Sequence, residues 1–493
     1  MTDKTSGQIT VGRLFATPGK GPCTYGATIR WVQGRIAAVS ATGRLEDAEN
    51  AKGLLAIPAL VNAHDHGRGL RQLAFGARDQ QLELWRAALY AHPPVDPYLN
   101  TIVAFARLAR AGVGTVIHVH SSIMVDKLPS EAEAVARAAN AVGIRLAFVF
   151  PLRDCRTLGY ADDEQLLARH SAADRDIIRQ KWLYKFPSPA EYMMLVRDVA
   201  SRIESPTVSV QLGPNSPQAC TDRLLEATAA ESALANRRVH AHLLETATQR
   251  RWSDAHYSKG LIRHLDDLGL LSSRFTGAHG VWLRPDECRL LAERESSIAI
   301  NTSSNLRLRS GIAPVADYIR AGMKFAIGVD SSSFDDDDDA LREIRVTHWL
   351  HSLDGNDAPL TPERLFDAVL RNGFEVAMNS RQYGAIEPGM PADFIVLDYN
   401  AMAHDCIAGM VDEIDVLLTR ATRNHVRQVF VNGQQIVRDG RTAKVDLEAL
   451  EQELLKQVHA AGPAMRALRP VMERSQETLR AFYASGDYLA GSR

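Results

Sequence analysis

Two histidines, His64 and His66, stand two apart at the end of the apolar run LLAIPALVNAHDHGRG (54–69). On a strand, side chains at i and i+2 leave the same face, so the two imidazoles can share one ion. Other ligand-type side chains also stand at the ends of apolar runs: His242 in RVHAHL (238–243), His279 in RFTGAH (274–279) and Asp330 in KFAIGVD (324–330). Each alone has a plainer use. An HxH pair is often two half-buried strand histidines, a terminal Asp a helix cap, and His279 an ordinary polar residue. Five such groups at four strand ends instead point to a metal site. Three imidazoles and one carboxylate oxygen suit Zn²⁺, with Fe²⁺ the alternative, and leave a position for water. Glu245, three residues past His242, is either an acid aimed into the mouth or part of the first turn of the next helix.

These groups need a frame that gathers strand ends. Eight apolar, β-branched runs lie between 54 and 330, separated by stretches such as NTIVAFARLARA (100–111) with apolar residues at helical spacing. Eight strands alternating with helices predict a parallel (β/α)8 TIM-like barrel, with its site at the carboxyl ends of the strands; a six-stranded doubly wound sheet is the competing architecture. The flanks differ. Residues 8–57 and 385–445 carry short alternating strands with Gly turns, among them a hairpin at VNGQ. They are expected to pair into one small β-sandwich domain, 1–57 with 385–445, beside a barrel over 58–384. Residues 446–493, rich in Leu, Ala, Glu and Arg, read as a helical extension serving as a cap or an oligomer contact.

The totals exclude several roles. The chain has 493 residues, 45% of them hydrophobic, and a net charge of −2, so no strong field favours nucleic acid or an anionic membrane. No apolar run reaches the length of a membrane span, and the polar N-terminal stretch MTDKTSGQITVGRLF lacks a signal core. Cys23, Cys155, Cys220, Cys288 and Cys406 show no CxxC spacing. They read as reduced thiols of a cytoplasmic protein.

Several segments carry a resemblance in order along the chain: IPALVNAHDH, DQQLELWRAAL (79–89), VHAHLLET (239–246), NTSSNLRLRSGIAPV (301–315), AIGVD (326–330) and YGAIEPGMPADFIVLD (383–398). Together they resemble the amidohydrolase superfamily, in the branch of aminohydrolases acting on nitrogen heterocycles. The resemblance implies one divalent ion held by His64, His66, His242 and Asp330. His279 would steady the developing oxyanion, Asp330 would also accept a proton from water, and Glu245 would pass a proton to a ring nitrogen. It implies a small-molecule substrate, a homodimer or homotetramer, and hydrolytic deamination of a purine, pterin, pyrimidine or triazine ring with release of ammonia. Opening of a cyclic amide, or loss of chloride or an alkylamine at the same site, is the alternative, and a non-catalytic binding barrel a remote one.

Four residues are candidate substrate contacts. Arg68 meets an oxo group or carboxylate, or else forms a surface ion pair; Trp85 stacks on a planar ring, or packs. His120, in the second HxH of HVH (118–120), meets substrate, supports another site residue from behind, or simply lines the mouth as a polar residue. Asn215 stands in GPNSPQAC (213–220), where relatives often place a histidine, and an amide cannot titrate, which weighs against an adenosine-type substrate. His240 reads as a satisfied polar residue inside the barrel. The run DDDDD (335–339) reads as a solvated loop or a helix cap, and 156–200 as a cover or lid on the mouth.

Overall fold

The computed structural model describes residues 5–122, 124–352, 360–407 and 409–490. The first four residues of the N-terminal stretch and the last three of the C-terminal extension lie outside them.

The barrel comprises β5 (Leu60–Asp65), β6 (Val113–Val119), β7 (Arg145–Leu152), β8 (Val208–Pro214), β9 (Val239–Leu243), β10 (Phe275–His279), β11 (Ser297–Ile300) and β12 (Lys324–Ile327), hydrogen-bonded in chain order. Each neighbouring pair is parallel. All eight predicted strands are present. The run at 54–64 divides at Ala59, with only its second half entering the barrel.

β7 shows why such strands read as continuous apolar runs. Ala147 and Val149 face the interior with Val61, Ile117 and Val119, while Leu146, Phe148 and Phe150 pack outward against the helices. The amino-terminal end of the barrel is plugged by the helix Gly373–Met378 and Tyr383. Gln211 Nε2 donates to Val376 O (2.8 Å) and Tyr383 OH to Ala59 O (2.9 Å), satisfying groups that the plug would otherwise strand.

A second sheet runs β16 (Arg441–Thr442), β15 (Gln434–Arg438), β14 (Val426–Val431), β13 (Phe394–Asp398), β4 (Leu54–Pro58), β1 (Gly7–Leu14), β2 (Thr24–Val32), β3 (Arg35–Ala41). Both ends of the chain build it, as expected. It curls onto itself, for Trp31 of β2 meets Phe394 and Phe430 with ring centroids 5.4 and 5.2 Å away. The hairpin at VNGQ forms with Asn432 and Gly433 at φ 50° and 71°, as a two-residue turn requires. A buried bidentate pair ties sheet to barrel: Arg145 of β7 donates to Asp393 at 2.7 and 3.1 Å. The 39-residue helix Leu447–Ser485 straps across the barrel's own helices, with Gln476 Nε2 donating to Leu84 O (2.9 Å) and Arg107 pairing with Glu451.

The barrel closes where β12 returns to β5. Asp330 N donates to His64 O (2.8 Å) and Val329 N to Asn62 Oδ1 (2.9 Å). Gly328 makes this approach sterically feasible: a Cβ there would lie 2.7 Å from both His64 Cβ and His64 N. Gly328→Ala is therefore expected to destabilise the protein by about 1–3 kcal/mol, the usual range for overpacking. Urea unfolding followed by circular dichroism checks this; an unchanged midpoint would show that the seam can relax.

Candidate active site

The register of β5 against β6 slips between Asn62 and Asp65. Such a bulge re-aims side chains. Val61 and Ala63 lie in the barrel interior, yet His64 and His66 face the mouth just above them. β9 carries His240 and His242 two apart, β10 ends on His279, and the chain turns sharply after β12 to present Asp330 three residues past the strand. Leu244, His279, Asp330 and Ser331 have φ of 46°, 73°, 58° and 50°. Non-glycine residues are seldom held there unless the surroundings impose it, and such strain gathers at functional sites.

Two overlapping donor sets have ligand atoms within 4.8 Å of one another: His64, His66 and His242; and His64, His279 and Asp330. Asp330 Oδ1 is 3.2 Å from Nε2 of both His64 and His66. Outer partners hold the rings by their other nitrogen. His66 Nδ1 donates to Val119 O (2.9 Å) and His242 Nδ1 to Asn215 O (2.6 Å). His64 Nδ1 lies 2.8 Å from His240 Nε2, and His279 Nδ1 2.8 Å from Asn305 Oδ1. Metal-binding histidines are typically oriented in this way. His64 Nε2 is sealed from solvent with no hydrogen-bond partner, the state expected of a nitrogen kept for an ion. The donor set therefore fits a divalent metal.

Burial holds His64 down to about 4, and His242 and His240 well below the usual histidine range. These imidazoles are thus neutral at physiological pH, the form that ligates. Burial alone would raise Asp330, but the His64 and His66 rings 3.2 Å from its Oδ1 keep it well below the usual carboxylate range. Its Oδ2 also accepts from Ser304 Oγ (2.5 Å). Glu245 behaves oppositely. It is buried, accepts from Ser310 Oγ (3.3 Å), and burial pushes it up to about 7. Its Oε2 is 3.8 Å from His279 Nε2, which is 4.0 Å from Asp330 Oδ2.

The candidate substrate contacts divide. Arg68 lies over Trp85, its Cζ 5.5 Å from the ring centre. Trp85 is buried among Leu167, Trp182 and Met472. Both ring nitrogens of His120 are engaged, by His118 Nε2 (3.1 Å) and Glu131 Oε2 (2.9 Å). Asn215 brings its backbone to the site through His242, while its Oδ1 accepts from Arg153 (2.6 Å).

Other expectations are met in part. His240 is an interior residue, as expected, but only half satisfied: its Nε2 meets His64 Nδ1 and its Nδ1 is buried without a partner. The aspartate run is no solvated loop: Asp336 pairs with Arg307, Asp338 with Arg71, and Asp335 and Asp337 with Arg342. The other reading, a helix cap, holds: Asp339 caps the helix Ala340–His351 by accepting from Arg342 N (3.2 Å). Asp335, Asp336 and Asp338 take positive φ, which Asp tolerates better than most residues. In the 156–200 segment, Asp174 pairs with Arg474 and Trp182 stacks on Tyr90 at 4.8 Å, contacts compatible with a cover on the mouth.

Composition and spacing gave no hint of a supporting layer behind the mouth. Glu343, from the helix Ala340–His351, accepts from Ser303 N (2.9 Å) and Ser303 Oγ, and so caps the short helix Thr302–Arg307. That helix carries Ser304 to Asp330 and Asn305 to His279. The run NTSSN signals dense hydrogen-bonding capacity, but nothing local names its partners. Glu83 carries no local signal either: it is buried, accepts from Thr246 Oγ1 (2.5 Å) and leaves Oε2 without a partner.

Comparison with known proteins agrees with this arrangement. The profile of the Amidohydrolase family matches residues 55–436. The chain is 27% identical over 447 residues to the 5'-deoxyadenosine deaminase of Methanopyrus kandleri, covering 86% of this chain and 91% of that one. It is 26% identical over 413 residues to a 5-methylthioadenosine/S-adenosylhomocysteine deaminase of Bacillus cereus, covering 82% and 87%. Among solved structures, an adenosine deaminase from Xanthomonas campestris with bound zinc matches at TM-score 0.76 and 22% identity, over 92% of this chain and 98% of that one. The guanine deaminase of C. acetobutylicum with bound guanine matches at 0.68 and 17%, over 87% and 100%. The structural likenesses establish a shared fold.

His242→Ala is expected to lower the metal content of purified protein well below wild type, as read by elemental analysis; unchanged stoichiometry would mean a different ligand set. Glu343 yields a stability prediction. Burial pushes its carboxyl from 4.5 up to about 7, so the folded chain keeps a proton that the unfolded chain releases in between. Its contribution is present in acid and lost as pH rises through that window. For metal-free protein, the unfolding free energy of wild type relative to Glu343→Gln should fall by roughly 3 kcal/mol from pH 4.5 to 7. Denaturant titrations across the window measure it.

Proposed function

This chain belongs to the amidohydrolase family, and on that premise we propose that it is a metal-dependent hydrolase that deaminates an amino-substituted nitrogen heterocycle. His64, His66, His242 and Asp330 hold one divalent ion, Zn²⁺. When bound, that ion supplies Lewis acidity and brings the pKa of water toward ~7.

This chain's own residues do the rest. Asp330 draws a proton from the attacking water. His279, between Glu245 and Asp330, steadies negative charge developing on the attacked centre. Glu245, near 7 through burial, is available both protonated and ionised at neutral pH. It delivers a proton to the ring nitrogen beside the reacting carbon and then assists departure of ammonia. The curated relatives' names put purine nucleosides among the candidate substrates. Five free cysteines accord with a reducing, cytoplasmic setting. Among the described residues no helix is long and apolar enough to cross a membrane.

The observation that carries this reading is the convergence of four imidazoles, Asp330 and a carboxyl held near 7 at one end of a closed barrel. The test is ammonia release by zinc-loaded protein over aminopurines, pterins, aminopyrimidines and aminotriazines. Stoichiometric ammonia from one class is expected; a fully metallated protein that releases none from any would overturn the reading. Glu245→Gln should retain zinc yet lose at least ~10²-fold in kcat. Near-normal turnover would remove Glu245 from its role.

A further inference from the structure

Arg68 is a partly buried cation with no counter-ion on its guanidinium among the described residues. It stands two residues past His66, and its Nη1 is sealed from solvent with no hydrogen-bond partner. Among the described residues no ion pair reaches its guanidinium. Arg238 is buried without a carboxylate too, but its fork is spent on Asn379 Oδ1 (3.4 Å) and Thr276 Oγ1 (3.3 Å), and three other arginines packed into this barrel each hold a carboxylate. Arg145 grips Asp393 at 2.7 and 3.1 Å, Arg71 grips Asp338 at 2.9 and 2.6 Å, and Arg250 holds Glu287 at 2.7 Å.

Nor do the two carboxylates whose charge Arg68 feels, Asp330 and Asp65, offer themselves as partners. Asp330 faces His64 and His66 and accepts from Ser304. Asp65 accepts from Ser331 Oγ (2.5 Å) and Gly67 N (2.7 Å) on one oxygen and from Asn62 Nδ2 (2.8 Å) on the other. Both are consumed by structure. Trp85, beneath the guanidinium, supports its charge through the ring face and leaves the planar fork unspent.

A desolvated guanidinium is costly unless something negative meets it. Its fork suits two coplanar oxygens or an ionised ring oxygen. We propose that Arg68 is a specificity-determining residue that receives an anionic oxygen on the substrate, so that the preferred substrate is an acidic amino-heterocycle rather than a neutral one. The inference rests on reading the barrel mouth as the deaminating site. The anionic oxygen comes from an exocyclic carboxylate or from an ionised ring oxo group.

Three pyrimidines of similar size separate these cases without turnover, because none carries an amino group: orotate bears a carboxylate, barbiturate an ionised ring oxygen, and uracil neither. Isothermal titration calorimetry on zinc-loaded protein at neutral pH should show wild type binding orotate or barbiturate at least about tenfold more tightly than uracil. Whichever of the two binds more tightly identifies the source of the anionic oxygen. Arg68→Met should abolish the preference, with zinc content and uracil affinity retained. Arg68→Lys, a point charge without the fork, should keep only part of it, and it carries the test if Arg68→Met does not fold. Equal binding of all three by wild type, or a preference that survives both substitutions, would overturn the proposal. The two readings can fail separately. Ammonia released from neutral rings at rates that Arg68→Met leaves unchanged sinks this one alone. An Arg68-dependent anion preference with no ammonia from any ring sinks the deaminase instead.

Discussion

The site depends on one seam. The last strand of the barrel must come close enough to the first for Asp330 N to reach His64 O, and Gly328 permits that distance. Through this contact a carboxylate from one end of the barrel sequence is set 3.2 Å from imidazole nitrogens supplied by the other end. Parallel strands cannot be joined by tight turns, so closure spans some 270 residues of chain, and everything between contributes to one geometric result. The sharp turn after β12 follows from the same need. Asp330 and Ser331 adopt positive φ because the chain must reverse at the point where the carboxylate is presented.

Around that seam, burial sorts the titratable groups by chemistry. His64 and His242 are held in the neutral form that can ligate, while Asp330 keeps its charge, with the His64 and His66 rings facing it. Glu245, a few residues from His242, has only a hydroxyl and a distant ring to favour its anion, so burial prevails and its proton stays exchangeable near neutrality. One desolvated mouth thus holds a permanent carboxylate and a switchable one. Arg68 is the group this sorting leaves unresolved, a permanent cation whose local carboxylates are already engaged.

The rings are aimed by partners that hold their outer nitrogens, and these come from four different parts of the chain: Val119, His240, Asn215 and Asn305. Behind them, Glu343 fixes the short helix that carries Ser304 and Asn305. A charged side chain on one helix therefore bears on both the metal-side carboxylate and His279 without touching either. The aspartate run extends this logic outward, pairing with Arg71, Arg307 and Arg342 to pin the loop that follows Asp330.

The amino-acid sequence alone determined the barrel, its eight strands, the second sheet built from both chain ends, and which residues converge at the mouth. Those features are written in local periodicity and in the position of polar groups at the ends of apolar runs, so they survive without knowledge of any contact. Only the tertiary structure decided how the site is supported. The pairing of His240 with His64, the diversion of His120 to Glu131, the backbone role of Asn215 and the capping by Glu343 depend on residues distant in the chain. Whether a buried polar atom finds a partner is set by packing, which no local spacing encodes. The same holds for Arg68: its type and position are legible at residue 68, but that its Nη1 is sealed from solvent with no partner among the described residues is a fact about its neighbours.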